Sequence, residues 1–309
     1  MSRVVVLGSS GFDLTVRLAR LPRPGETLLG GSLHTGPGGK GANAAIAAKR
    51  AGAEVTFLTA FGDDDFGKQV RDHDLSEGLD LSYAKTAERV PNQVALIFVG
   101  EDGRNLIGVA PGASAALGPE DIDVLPDTVF APDAVFLACL EVPLAAVARG
   151  LQRARRAGMT TVLNPAPADR ALMGPDVLGL VDVLTPNSEE ALELTGQGSV
   201  EESARCLKAL GARSVVVTLG GDGALVVTDE GLVQLPPCVV EVVDTVGAGD
   251  AFNGALAVGL AEGLTLLEAA ARACAAGALA VTKPGAQGAL PRRDEIDRLL
   301  ARDPGRTKR

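Results

Sequence analysis

The chain has 309 residues, 46% of them hydrophobic, which is enough to bury a full core as one large α/β domain or two smaller ones. Its 29 Lys and Arg against 39 Asp and Glu leave a formal net charge of −10. With no Trp, one Tyr and eight Phe as well, it lacks the clustered cations and stacking rings of a nucleic-acid-binding protein.

In chain order, residues 3–8 read as a buried strand. Val4-Val5-Val6-Leu7 runs into Gly8 and Ser9 with none of the basic-then-apolar pattern of a secretion signal. The stretch 12–34 carries Pro22, Pro24, Gly25, Gly30 and Gly31 among short alternating runs. A helix over 41–51, a strand over 55–61 and a helix over 66–77 come next. Residues 92–109 read as two strands, 94–99 and 105–109, joined by Glu101-Asp102-Gly103, a hairpin signal. Strands at 134–140, 160–164, 181–185 and 214–219 then alternate with helices at 144–157, 188–195 and 200–210. Helices at 249–262, 266–281 and 293–301 close the pattern, and 303–309 reads as a frayed tail.

Near-continuous apolar strands between helices predict a mostly parallel sheet covered on both faces. The two irregular stretches predict a small antiparallel accessory sheet at its edge. The apolar stretches 251–261 and 274–281 are broken by Asn253, Gly254, Gly259 and Gly277, and fall short of the ~20 residues a membrane span needs. Cys139, Cys206, Cys238 and Cys274 form no CxxC pair, and only His34 and His73 are available to join them. Buried thiols in a reducing compartment are expected rather than zinc, in a soluble cytoplasmic protein.

The most informative segment is Asp244-Thr245-Val246-Gly247-Ala248-Gly249-Asp250, leading into a helix. Glycines at a helix start let backbone amides converge on an anion. Asp250 in the first turn is placed to take a proton from an attacking hydroxyl; equally, it is an acid that suits a helix N-terminus. Upstream, Gly36, Gly38 and Gly41 satisfy GxGxxG, the pattern of a nicotinamide-dependent oxidoreductase. That fingerprint belongs directly after the first strand, which ends far earlier, near Gly8. Lys40 is followed by Gly41, so a P-loop fails too. A tight loop at a small polar ligand, with Asn43 hydrogen-bonding it, is the better reading.

Asn187 and Glu190 have capping-box spacing, or they hold water around Mg²⁺. Thr218-Leu219-Gly220-Gly221-Asp222-Gly223 ends a strand with a glycine turn, either a ligand edge or a plain hairpin. Asp13 and Glu141 follow apolar runs; each is a crevice carboxylate or a solvated loop acid.

Together these segments resemble the ribokinase branch of the PfkB carbohydrate kinase family over nearly the whole chain. The motifs include Pro24-Gly25-Glu26-Thr27, Gly38-Gly39-Lys40-Gly41-Ala42-Asn43, Asn164-Pro165-Ala166-Pro167 and Thr185-Pro186-Asn187, besides the Asp244–Asp250 stretch. The resemblance implies a single domain over 1–309. Its fold would be a Rossmann-like α/β sandwich with a mostly parallel central sheet and a small antiparallel β lid, from about 12–35 and 92–109. It implies ATP-dependent phosphorylation of a primary hydroxyl, D-ribose to ribose 5-phosphate, with Mg²⁺ and K⁺, in a homodimer paired through the lid.

By the same resemblance Asp250 is the general base, and Gly247, Ala248 and Gly249 form the anion hole. Gly11, Asp13, Gly39, Lys40, Gly41, Asn43 and Glu141 hold the sugar with Asp250. Asn187, Thr218, Leu219, Gly220, Gly221, Asp222, Gly223, Gly249 and Cys274 line the nucleotide. Asn187 and Glu190 serve the Mg²⁺ region, and Asp244, Val246, Ala280, Lys283, Gly285 and Ala289 the K⁺ site. The chain departs from the pattern at Gly11, where ribokinases commonly have an Asn that meets the sugar. It departs also at Cys274, where a His often flanks adenine, and at Ser114, where an Asn is common. The first departure bears on substrate choice: another sugar, a keto-deoxy sugar acid or a nucleoside stays open, though scarce aromatics weigh against a nucleoside. A non-catalytic sugar-binding regulator is the reading from a different class.

Overall fold

The computed structural model describes residues 2–101 and 104–302, so the turn residues 102–103 and the tail 303–309 lie outside the described residues. The elements run β1 Arg3–Leu7, β2 Gly11–Leu18, β3 Ser32–Gly38, α1 Lys40–Arg50, β4 Glu54–Leu58, β5 Ala60–Gly62, α2 Asp65–Ser76, β6 Lys85–Ala87, β7 Gln93–Gly100 and β8 Asn105–Ala110. They continue with α3 Pro119–Asp123, β9 Ala134–Cys139, α4 Leu144–Arg156, β10 Thr160–Asn164, α5 Pro175–Leu178, β11 Val183–Leu184, α6 Ser188–Thr195 and α7 Val200–Ala209. Last come β12 Ser214–Thr218, β13 Ala224–Thr228, β14 Gly231–Leu235, α8 Ala248–Ala261, α9 Leu266–Ala280 and α10 Arg293–Ala301.

Eight strands form the central sheet in the order β14-β13-β12-β11-β10-β9-β1-β4. From β4 to β12 neighbours are parallel; β13 and β14 add an antiparallel hairpin at one edge. Strand alternation sorts the side chains between two cores. Val4, Val6, Val135 and Leu137 face one cluster, with residues of α1, α8 and α9. Val5, Leu7, Phe136 and Ala138 face the other, with residues of α4, α6 and α7. This is the α/β sandwich expected from the sequence. The expected strand 55–61 is two pieces, because β4 pairs with β1 while β5 turns away to pair with β6. Apolar content marks both pieces as buried but carries no information on which partner each takes.

Small residues set the distance between helices on the first face. A Cβ on Gly254 of α8 would lie 2.6 Å from Ala44 O and Ala47 Cβ of α1, and one on Gly259 would lie 2.9 Å from Ala269 Cβ of α9. This close approach brings the N-terminal turns of α1 and α8 side by side.

The second sheet has the order β3-β2-β7-β8. Its two hairpin-like pairs are antiparallel, while β2 and β7 join them in parallel. At its root, Phe12 stacks on Phe66 of α2, ring centroids 4.6 Å apart. Ser10 Oγ donates to Asp74 Oδ2 at 2.8 Å, and Asn92 Nδ2 donates to Ser10 O at 3.2 Å, tying both chain crossings together. Asp74 is fully buried, and burial pushes its carboxyl up to about 7. Among the described residues, no helix is long and apolar enough to cross a membrane.

Candidate active site

Two cavities meet at the start of α8. One, of about 340 Å³, is the more polar of the two and lies between the four-stranded sheet and the strand ends of the central sheet; Asp13, Lys40, Asn43, Glu141, Glu190 and Asp250 line it, with Ile97, Ile107 and Val109 of the four-stranded sheet opposite. The other, of about 370 Å³, is mainly apolar, between the β12–β13 turn and helices α8 and α9. Thr218, Thr245 and Gly249 line both.

Asp250 stands in the first turn of α8 behind Gly247, whose φ of 79° is left-handed and suits glycine. It is 7% exposed and accepts from Asn43 Nδ2 at 2.8 Å, across 207 residues of chain. Burial pushes its carboxyl above the ordinary range; Lys40 and the Asn43 hydrogen bond pull it back, and Glu141 adds to the rise. For Lys40, burial acts downward, but Asp250, Glu141, Cys139 and Glu190 outweigh it and hold the ammonium above its usual value. Asp13 is raised to about 6 by burial, then by Glu141 and Asp250. The result is a strengthened base beside a secured cation.

The helix start is anchored from the strand ends. Asn164 Nδ2 donates to Thr185 O at 2.8 Å, Thr185 Oγ1 to Asn253 Oδ1 at 2.6 Å, and Asn253 Nδ2 to Gly249 O at 2.8 Å. A Cβ on Gly249 would meet nothing within 4 Å, so space opens over this turn. The Ala248 amide has a long bond of 3.3 Å to Thr245 O.

The upstream glycines have separate physical reasons. A Cβ on Gly38 would fall 2.2 Å from Asp13 Oδ2, and one on Gly41 would fall 2.5 Å from Gly8 C and Ser9 N. Gly39 has a φ of 91°. Gly36 and Gly38 belong to β3, paired with β2, and not to a turn following a central strand; the dinucleotide pattern therefore lacks its context. Gly41 is explained by packing rather than by the cavity. Lys40 N–H donates to Glu141 Oε2 at 2.9 Å, and Ser9 Oγ donates to the same oxygen.

Asn187 and Glu190 make both bonds of a capping box: Glu190 N–H donates to Asn187 Oδ1 and Asn187 N–H to Glu190 Oε2, each at 2.8 Å. Both also line the polar cavity. Thr218, Gly220, Gly221 and Gly223 line the apolar cavity with Cys274, joined by Cys238. Leu219 instead packs against the second core cluster and Asp222 is exposed, and neither lines that cavity. Asp244 accepts from Val246 N–H at 3.1 Å and Gly285 N–H at 2.9 Å, with Arg17 of β2 at 3.5 Å. Val243 and Asp244 N–H both donate to Val281 O, so the segments carrying Asp244, Val246, Lys283 and Gly285 are held together. Ala280 and Ala289 are buried.

Sequence reasoning passed over Gln93, the first residue of β7. It lines the polar cavity and is 3% exposed. Its Nε2 donates to Glu141 Oε2 at 3.2 Å, and its Oε1, like Asn43 Oδ1, is buried without a partner. No signal in the sequence marks it: position 93 meets the glycine at 11 only through the register of β2 against β7.

The sequence profile of the pfkB family carbohydrate kinases matches residues 1–293. The chain belongs to the PfkB family of carbohydrate kinases. Within that family it is 35% identical over 302 residues to a ribokinase of Haemophilus influenzae, covering 96% of this chain and 98% of that one. It is 34% identical over 310 residues to a bifunctional ribokinase/ribose-5-phosphate isomerase A of Fructilactobacillus sanfranciscensis; that match covers 98% of this chain and 57% of the longer relative. Among solved structures, an Arabidopsis thaliana ribokinase complexed with ribose and ATP superposes with a TM-score of 0.86 at 29% identity, covering 97% of this chain and 98% of that one.

Proposed function

We propose that this PfkB-family kinase transfers the γ-phosphoryl group of ATP to the primary hydroxyl of a small neutral sugar, D-ribose before others, forming ADP and ribose 5-phosphate. The observation that carries the reading is the junction at α8: an apolar cavity suited to a nucleotide base and a polar one suited to a sugar meet at Gly249, beside the buried Asp250. Asp250 takes the proton of the attacking hydroxyl. The backbone at Gly247, Ala248 and Gly249 faces the charge that develops on the transferred group. Asp13, Asn43 and Glu141, with Gly39 and Lys40, orient the sugar, and Thr218, Gly220, Gly221 and Gly223 border the nucleotide. Catalysis of this kind is mostly positioning and electrostatics.

The cavity's charge favours a neutral substrate. Four carboxylates, Asp13, Glu141, Glu190 and Asp250, line it with Lys40 as the single cation among the described lining residues. A sugar acid would be repelled there. No aromatic ring lines it either, so a nucleoside base would find no stacking partner. The relatives named ribokinase add ribose to the argument.

Asn187 and Glu190 offer oxygen donors at the cavity wall, chemistry that fits a hydrated Mg²⁺. Such an ion, when bound, neutralises charge on the phosphates. Asp244 and the backbone oxygens of Val246, Ala280, Lys283, Gly285 and Ala289 would supply an all-oxygen donor set of the kind K⁺ takes, and the charge of that ion, when bound, would favour an anion at the neighbouring α8 amides. The four-stranded sheet, from about 12–35 and 92–109, acts as a lid on one domain spanning 1–309; closing it would exclude water and limit wasteful ATP hydrolysis. Its outer face shows Leu33, Leu96 and Leu106, each more than half exposed. We place a second copy of the chain on that face. Sedimentation velocity should then show a dimer that Leu96→Lys/Leu106→Lys converts to monomer; a monomeric wild type at all concentrations would refute the pairing.

The test of function is ADP release from MgATP across ribose, other pentoses, fructose, a keto-deoxy sugar acid and nucleosides, in KCl and in tetramethylammonium chloride. Ribose-dependent release that is faster in KCl is expected. A preference for an anionic sugar or a nucleoside would overturn the reading, as would silence across the panel.

A further inference from the structure

Positions 11 and 93 are partners in register at the root of the four-stranded sheet, where β2 and β7 run parallel. Gly11 is not among the residues with positive φ, so its backbone does not require glycine. A Cβ at position 11 would lie 3.2 Å from both Cγ and Nε2 of Gln93. The Gln93 side chain therefore occupies the space that a side chain at position 11 would use.

The orientation of that amide follows from its neighbour. Glu141 Oε2 is a carboxylate oxygen and accepts only, so the Gln93 group 3.2 Å from it is the NH₂ end. The carbonyl end, Oε1, is then the buried atom without a donor. Buried acceptors are nearly always satisfied, and an exception at a cavity wall asks for a ligand. Asp13 and Glu141 line the same cavity, so the group that fills this position must bring its own hydrogen. A sugar hydroxyl does so.

We infer that Gln93 is a specificity-determining residue of this kinase, its Oε1 accepting a hydrogen bond from a non-reacting sugar hydroxyl and supplying from β7 the contact that Gly11 cannot make from β2. The inference rests on the sugar-kinase reading and narrows it. The substrate carries a free hydroxyl at the position Gln93 reads, and the analogue lacking that hydroxyl is a poor substrate, because the amide stays unsatisfied when it binds.

The experiment is steady-state kinetics of the wild type, Gln93→Ala and the volume-conserving Gln93→Met. The substrates are D-ribose, 2-deoxyribose, 3-deoxyribose and 1,4-anhydroribitol, with ATP varied separately and melting temperature as the folding control. Both variants should raise the KM for ribose about 10-fold or more, the scale of a lost hydrogen bond at a buried group. KM for ATP should stay within about twofold, since Gln93 does not line the apolar cavity. One of the three analogues, discriminated against by the wild type, should become about as good as ribose in the variants. An unchanged ribose KM with unchanged ranking of the analogues overturns the role of Gln93 while leaving the kinase reading intact. A wild type that phosphorylates none of these sugars overturns both.

Discussion

Asp250→Asn should lower kcat by about 10²- to 10⁴-fold, the range of lost general base catalysis. The substitution is isosteric and its amide oxygen can still accept from Asn43 Nδ2, now at 2.8 Å from Asp250. Sugar KM should therefore change by less than about threefold, placing the loss in the chemical step rather than in binding. The pH profile gives a second readout. Burial raises the Asp250 carboxyl above the ordinary range, with Lys40 and Asn43 opposing. A base works only when deprotonated, so wild-type activity should fall as pH drops through that raised value. The residual activity of the variant should lack this acidic limb. A kcat within about tenfold of wild type would remove Asp250 from the base role.

Gly41→Ala should both destabilise the protein and weaken sugar binding, against what helix propensity alone suggests. Gly41 lies inside α1, where alanine is intrinsically better by about 1 kcal/mol. Packing opposes that gain. The new Cβ would meet Gly8 C and Ser9 N at 2.5 Å, and both are backbone atoms that cannot rotate away. Overpacking of this kind costs about 1–3 kcal/mol and sometimes more; here α1 must also keep the 2.8 Å bond from Ala42 N–H to Ser9 O. A net loss of about 1–2 kcal/mol, or roughly 1.5–3 °C in Tm for a domain of this size, is expected. Because the displaced backbone carries Ser9 and Lys40, whose bonds fix Glu141, sugar KM should rise about tenfold or more. Differential scanning calorimetry and sugar titration check both parts. A variant that melts and binds like wild type would show that the loop relaxes freely.

Legibility differed by kind of feature. Helix bounds were readable where local pattern marked them: Ser188–Thr195 starts where its capping residues put it, and Arg293–Ala301 falls where the helical pattern puts it. The hairpin of β7 and β8 was readable from alternation and turn chemistry, and the stretch carrying β2 and β3 as part of the same accessory sheet, but the parallel junction of β2 with β7 was not, since nothing local specifies which edges meet. The capping-box spacing of Asn187 and Glu190 was readable, and both bonds form. Their presence at the cavity wall depends on where the α6 N-terminus comes to rest. The sequence reading takes Leu219 and Asp222 with their neighbours as one run lining the nucleotide, but residues 220–222 form a 3₁₀ turn, and its three-residue repeat puts 219 and 222 together away from the cavity.

By itself the sequence determined the sandwich, because apolar runs of strand length between amphipathic helices admit few other architectures. It also determined the two glycine-marked helix starts, because positive φ and close backbone approach restrict residue type locally. Only the tertiary structure decided that those two starts meet. Asn43 reaches Asp250 because Gly254 and the alanines of α1 let two helices pack nearly backbone to backbone. Likewise only the register of β2 against β7 put Gln93 in the space left by Gly11. Contacts across such separations come from the fit of whole surfaces, and surface fit is not encoded in any single stretch of chain.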